Sequence, residues 1–182
     1  FIRSFKLNKK AKIIDIGGGD SKLVDYLLGE GYNNITVLDI SEKAIAKAKK
    51  RLGEKASKVN WIVSDITEFK PHSSFDVWHD RATFHFLTTD GQIKKYIKQA
   101  TKFVSGYLVI GTFSQNGPKK CSGLEIKQYN EEELTLELKK GFDKIQCITE
   151  DHTTPFNTMQ NFLFCSFKRQ LTEKPALPIP TS

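Results

Sequence analysis

Apolar and polar positions along this chain follow two alternating rhythms. Short β-branched runs at 11–16, 35–40, 59–64, 75–79 and 107–113 have the apolar density of buried strands. Between them, apolar residues recur at helical spacing. The first such stretch, 20–29, sets Leu23, Tyr26 and Leu27 on one face and stops at Gly29 and Gly31. A second begins at Ser41, a candidate N-cap, and carries Ala44, Ile45, Ala48 and Leu52. The third, 91–104, carries Ile93, Tyr96, Ile97, Ala100 and Val104. Alternating strands and helices with short connections predict an α/β fold, a doubly wound parallel sheet with helices on both faces.

Past the fifth strand the rhythm changes. Residues 114–128 read as a long polar loop containing Gly117-Pro118 and Gly123, followed by a helix capped by Asn130 and opened by Glu131, Glu132 and Glu133. Two more strands, 142–149 and 159–167, are joined by 150–158. That link is too short for a crossover helix, so the pair is expected as an antiparallel hairpin. Residues 1–169 read as a single domain and 170–182 as a proline-rich flexible tail. Because the chain opens on Phe1 rather than Met, a preceding segment is expected.

Composition narrows the classes. No apolar run approaches the roughly 20 residues that cross a bilayer, and a cytoplasmic setting is expected. Cys121, Cys147 and Cys165 are odd in number and widely spaced, which suggests neither a disulfide framework nor paired metal ligands and fits a reducing compartment. The formal charge of +7 concentrates in two helices, one with Lys43, Lys47, Lys49, Lys50 and Arg51, the other with Lys94, Lys95, Lys98 and Lys102. Solvated lysine faces account for it; no basic patch is interleaved with aromatics, so nucleic acid is not an expected partner.

The chemistry concentrates where Ile13-Ile14-Asp15-Ile16 runs into Gly17-Gly18-Gly19-Asp20. A strand entering a glycine turn lets backbone N–H groups approach a ligand closely. Twenty residues after Gly19, the second strand ends on Asp39, placed to accept from ribose hydroxyls or else to cap the following helix, a role Ser41 already offers. A dinucleotide fingerprint would need a third glycine where Lys22 stands, which weakens that reading.

Asp15-Ile16-Gly17-Gly18-Gly19-Asp20-Ser21 resembles the first motif of the class I S-adenosylmethionine-dependent methyltransferases, with Ser21 in the last glycine place. The resemblance continues through Asp39, Ser64-Asp65-Ile66, the strand Phe75-Asp76-Val77-Trp78 and the terminal hairpin. It implies a Rossmann-like three-layer αβα sandwich whose seven-stranded, mostly parallel sheet ends in that hairpin. It also implies S-adenosylmethionine as cofactor and S-adenosylhomocysteine as product. Carried over by position, Gly17, Gly18 and Gly19 pass close to the amino-acid end of the cofactor and Asp15 orients the loop or meets the ammonium. Asp39 takes the ribose, Ile40 and Ile66 pack on the adenine, and Asp65 accepts from its amino group.

The segment Trp78-His79-Asp80-Arg81-Ala82-Thr83-Phe84-His85-Phe86 follows that strand and is expected to face the transferred methyl. Within it, His85 is the candidate base and Asp80 and Arg81 candidate catalytic groups, unless those two simply pair. His79 belongs either to the cofactor site or to a buried strand. Phe84, Cys121 and His152 are expected in the substrate wall. Cys121, His85 and His152 lack ligand spacing, so no metal is expected. The acceptor is expected to be a small molecule with a thiol, hydroxyl, carboxylate or metalloid centre. A protein lysine is the alternative, and a nicotinamide-dependent oxidoreductase or a non-catalytic cofactor-binding module are the readings of another class. The sequence leaves oligomeric state open.

Overall fold

A computed structural model of the chain describes residues 1–81, 83–153, 157 and 159–170. Its sheet runs in the order β3-β2-β1-β4-β5-β9-β8. The five parallel strands are β1 (Ile13–Ile16), β2 (Ile35–Asp39), β3 (Val59–Val63), β4 (Phe75–Arg81) and β5 (Val104–Phe113). The closing hairpin is β8 (Phe142–Thr153) with β9 (Met159–Arg169), antiparallel to each other, and β9 also pairs antiparallel with β5. The seven-stranded, mostly parallel sheet expected from the sequence is therefore present. The strand order reverses between β1 and β4, so the carboxyl ends of those strands flank the crevice where ligands of such sheets bind.

Helices cover both faces. On one, α1 (Leu23–Gly29) and α2 (Glu42–Leu52) bury Val24, Leu27, Ile45 and Ala48 over Ile13, Val37 and Val77. On the other, α3 (Asp90–Phe103) and α4 (Glu131–Leu138) lie over Ile14, Trp78, Leu108 and Cys165. Each of these two helices starts in a reciprocal capping box, Thr89 with Gln92 and Asn130 with Glu133, which satisfies backbone donors at its first turn. Trp78 anchors the α3 face. It is fully buried, donates from Nε1 to Tyr96 Oη at 3.0 Å and meets the Tyr96 ring edge-on.

Several expectations need correction. α1 begins at Leu23 rather than residue 20, because 17–21 are used by the turn that Ser21 N closes onto Gly18 O. The loop after β5 contains a small hairpin, β6 (Lys120–Cys121) with β7 (Leu124–Glu125), clipped by Lys120 and Glu125 at 2.8 Å. β4 runs two residues beyond 79, since Arg81 still pairs with Gly111 of β5. Successive strand residues point to opposite faces, so Asp80 and Arg81 part and do not pair. The cysteine reading also fails. Antiparallel register sets Cys147 of β8 opposite Cys165 of β9, and they form a disulfide, leaving Cys121 as the free thiol. A disulfide is unusual in a reducing compartment.

Residue 170 was expected in the tail. Gln170 donates from its backbone to Gly141 O and from Nε2 to Asp143 Oδ1, which fastens it to the domain. Residues 171–182 lie outside the described residues, as do Ala82 and residues 154–156 and 158 of the β8–β9 turn. Among the described residues no helix is long and apolar enough to cross a membrane.

Candidate functional site

The glycine turn at the end of β1 is built by three tight contacts. Gly17 takes φ of 68°, a left-handed conformation that a side chain would strain, and donates to Leu38 O at 2.7 Å. Gly19 donates to Asp39 Oδ2 at 2.9 Å, and a Cβ there would come within 2.8 Å of both that oxygen and Ala44 Cβ. Asp39 Oδ1 accepts from Ser41 N at 2.7 Å, while Ser41 Oγ caps α2 through Ala44 N. Asp39 thus ties the turn to the start of α2, and each of its oxygens keeps a further lone pair.

Beside this turn lies a cavity of about 540 Å³. Gly17, Asp39, Ile40, Asp65 and Ile66 line it, and all five were expected in the cofactor site. Ile40 leaves most of its surface exposed and Ile66 is buried. Asp65 spends Oδ1 on the N–H and hydroxyl of Thr67, as a turn acid does. Thr83, Phe86, Gln92 and Leu124 also line the cavity and were missed. Leu124 is an exposed apolar residue amid a polar loop, the one signal that could have flagged it.

A second cavity, about 630 Å³, lies on the α1 face of the sheet. His79 and Arg81 of β4 line it, together with Lys22, Tyr26, Ile148 and Phe164 among others. The end of β1 and the end of β4 partition the two spaces. Gly17 and Thr83 face the first, whereas Ser21 and Arg81 face the second.

His79, expected either in the cofactor site or on a buried strand, lies on β4 against Asp15. Its Nδ1 lies 2.8 Å from Oδ1 of the buried Asp15. A carboxylate acceptor there fixes the proton on Nδ1 and leaves Nε2 as the acceptor nitrogen. The other Asp15 oxygen, Oδ2, is buried without a partner among the described residues, directly under Gly18. An unpartnered buried carboxylate oxygen is costly, and an ammonium group arriving at the turn would relieve it. The residues present therefore fit the amino-acid end of S-adenosylmethionine.

The other candidates lie deeper. Asp80 is wholly buried on the α3 face, where Oδ1 accepts from Thr83 N at 2.9 Å and Phe84 N at 3.2 Å. Burial pushes its carboxyl up to about 6, against the pull of the Tyr96 hydroxyl and those two N–H groups. Oδ2 has no hydrogen-bond partner among the described residues. His85 is also fully buried, its ring stacked on Phe113 at 4.6 Å. Among the described residues neither ring nitrogen has a partner, and burial pushes its pKa down to about 4. It lines neither cavity. Phe84, expected in the substrate wall, packs in the core between Tyr96 and Tyr129. His152 is exposed on β8, edge-on to Phe162, and half-buried Cys121 sits on β6. Among the described residues no three His, Cys, Asp or Glu side chains gather as a metal site.

This sheet order, glycine turn and acid series define a class I S-adenosylmethionine-dependent methyltransferase. The methyltransferase domain family model matches residues 13–105, just over half the chain, and the chain belongs to that family. Its cofactor is S-adenosylmethionine, and the dinucleotide alternative falls. The chain is 36% identical over 104 residues to malonyl-[acyl-carrier protein] O-methyltransferase of Anoxybacillus flavithermus, covering 56% of this chain and 38% of that protein. Over 85 residues it is 33% identical to the eEF1A lysine and N-terminal methyltransferase of Mus musculus, covering 46% of this chain and 12% of that one. A solved S-adenosylmethionine-dependent methyltransferase from Methanosarcina mazei shares the fold with a TM-score of 0.76 and 20% identity, over 94% of this chain and 98% of that one.

Proposed function

We propose that this methyltransferase acts on a small acceptor held in the 630 Å³ cavity, with the nucleoside end of its cofactor in the 540 Å³ cavity across the partition. The observation that carries this reading is the division itself. Ribose- and adenine-type acceptors, Asp39 and Asp65, stand on one side, and an oriented histidine on the other. Both spaces are of the size that encloses small ligands. In this reading Asp39 accepts from the ribose hydroxyls, Asp65 from the adenine amino group, and Ile40 and Ile66 pack on the ring. Asp15 Oδ2 takes the ammonium.

When bound, the cofactor supplies a methyl on a sulfonium, a leaving group that needs no activation by the protein. The chain's work is alignment and exclusion of water. His79 Nε2 takes the proton of a thiol, hydroxyl or amine nucleophile while Asp15 holds the ring. The base role thus passes from His85, which is sealed in the core, to His79. Asp80 shapes the turn that carries Thr83.

Calorimetry with S-adenosylhomocysteine tests the cofactor half: saturable binding is expected, and Asp39→Asn should weaken it by about tenfold or more. Absence of binding by folded protein would sink the arrangement. A protein acceptor is the second reading, favoured by the match to the mouse eEF1A enzyme. Methyl label entering protein bands rather than small thiols, hydroxyls or amines would establish it.

A further inference from the structure

We propose that the acceptor is an anion, a carboxylate on a flat apolar body, and that the Arg81 guanidinium is its anchor. The inference rests on the 630 Å³ cavity being the acceptor site. The chain has four arginines, and three are satisfied from within. Arg3 bonds Glu30 at 2.9 Å, Arg51 bonds Asp25 at 2.8 Å, and Arg169 donates to the carbonyls of Thr101 and Gly141. Arg81 differs. Among the described residues no carboxylate lies within 4.0 Å of it and no side-chain or backbone oxygen accepts from it. Its guanidinium instead lies 5.9 Å from the Phe162 ring and 5.8 Å from the Phe164 ring. Aromatic faces attract a guanidinium without using its N–H donors.

Strand register explains the placement. Arg81 pairs with Gly111, which pairs with Phe164, which pairs with Ile148, so all four lie in one row on one face of the sheet. Gly111 carries no side chain to obstruct the arginine. The donors of Arg81 therefore meet a cavity walled by Phe164, Ile148 and Val109. The charged lining is predominantly positive: Arg3, Lys22 and Arg81 against one acid, Glu150. A planar fork of N–H donors beside apolar walls suits a carboxylate on a flat apolar group, bound by two parallel hydrogen bonds. His79, two residues back on the same face, would then meet the nucleophile on the same ligand.

The probe is benzoate, with neutral benzamide as its isostere, added to the chain saturated with S-adenosylhomocysteine and followed by saturation-transfer NMR and by shifts of the Arg81 and His79 side-chain resonances. Benzoate is expected to bind, with benzamide at least tenfold weaker. Arg81→Gln should lose benzoate by at least tenfold, and Arg81→Lys should recover only part of it, because an ammonium keeps the charge but not the fork. Both variants are checked for unchanged melting and unchanged S-adenosylhomocysteine affinity. Equal binding of benzoate and benzamide, full retention in Arg81→Gln, or shifts confined to residues outside the cavity would overturn the inference. S-adenosylhomocysteine binding without benzoate binding sinks the inference alone; loss of both sinks the two-cavity arrangement beneath it.

Discussion

Asp80 and Arg81 are neighbours in the chain and belong to opposite regimes. On the α3 face Asp80 is sealed among Tyr96, Phe84 and Trp78, and on the α1 face Arg81 and His79 open onto a cavity. The α3 face is packed to completion and carries stability. The α1 face stops short of complete packing at the ends of β4, β5 and β9, and there His79 is held by Asp15 through one ring nitrogen while Arg81 has no hydrogen-bond partner among the described residues. Burial alone is thus a poor guide to chemistry in this segment. In the proposed function the working groups are His79 and Arg81, which border the cavity, not the more deeply buried Asp80 and His85.

The contrast can be broken by substitution, and the largest effect is expected on the sealed face. Trp78→Ala removes a fully buried ring and the Tyr96 hydrogen bond, and should cost about 3–5 kcal/mol in denaturant unfolding. A loss below ~1 kcal/mol would show that this face is loosely packed after all.

A medium effect is expected from the two buried titrating groups, with opposite signs. His85 binds its proton less tightly folded than unfolded, so between about pH 4 and 6.5 the unfolded state holds more protons and stability rises with pH. Asp80 is shifted upward, so between about pH 3.8 and 6 the folded state holds more protons and stability falls as pH rises. The two slopes oppose one another over most of that window. His85→Phe should expose the falling slope and Asp80→Asn the rising one, each by roughly 2–3 kcal/mol in melts from pH 4 to 6.5. Parallel profiles for wild type and both variants would refute the assignment.

The smallest stability effects belong to the open face. His79→Gln and Arg81→Gln should each change unfolding free energy by only about 0.5 kcal/mol, while His79→Gln lowers methyl transfer to a protonated acceptor about a hundredfold. A stability loss comparable to that of Trp78→Ala would return these residues to the core.

What the sequence disclosed, and what it did not, follows from range. Asp15 to Gly19, Asp39 and the Ser41 cap are legible because the turn and the helix start are local, and their spacing alone implies a nucleoside-sized space. The alternation of strands and helices similarly implies the sheet. The faces of His79, Asp80 and Arg81 were not legible, since the strand was taken to end at 79; its extension depends on pairing with Gly111, thirty residues away. His85 looked available because it follows the strand whose end borders the ligand crevice, and it is Phe113 of β5, distant in sequence, that stacks on it. Cys147 and Cys165 face one another only through the register of β8 against β9, which shifts between Lys144 and Gln146 and so is not countable from spacing.

That bridge has a topological consequence. It encloses the turn between β8 and β9 in a covalent ring, the two cysteines lying 18 positions apart in the sequence. A protease that cut the turn would open the ring without freeing either fragment: β9 would stay tethered to β8 as well as bonded to β5. Nicked and intact chains would migrate alike until reductant was added, and only then would the piece carrying β9 separate from the rest.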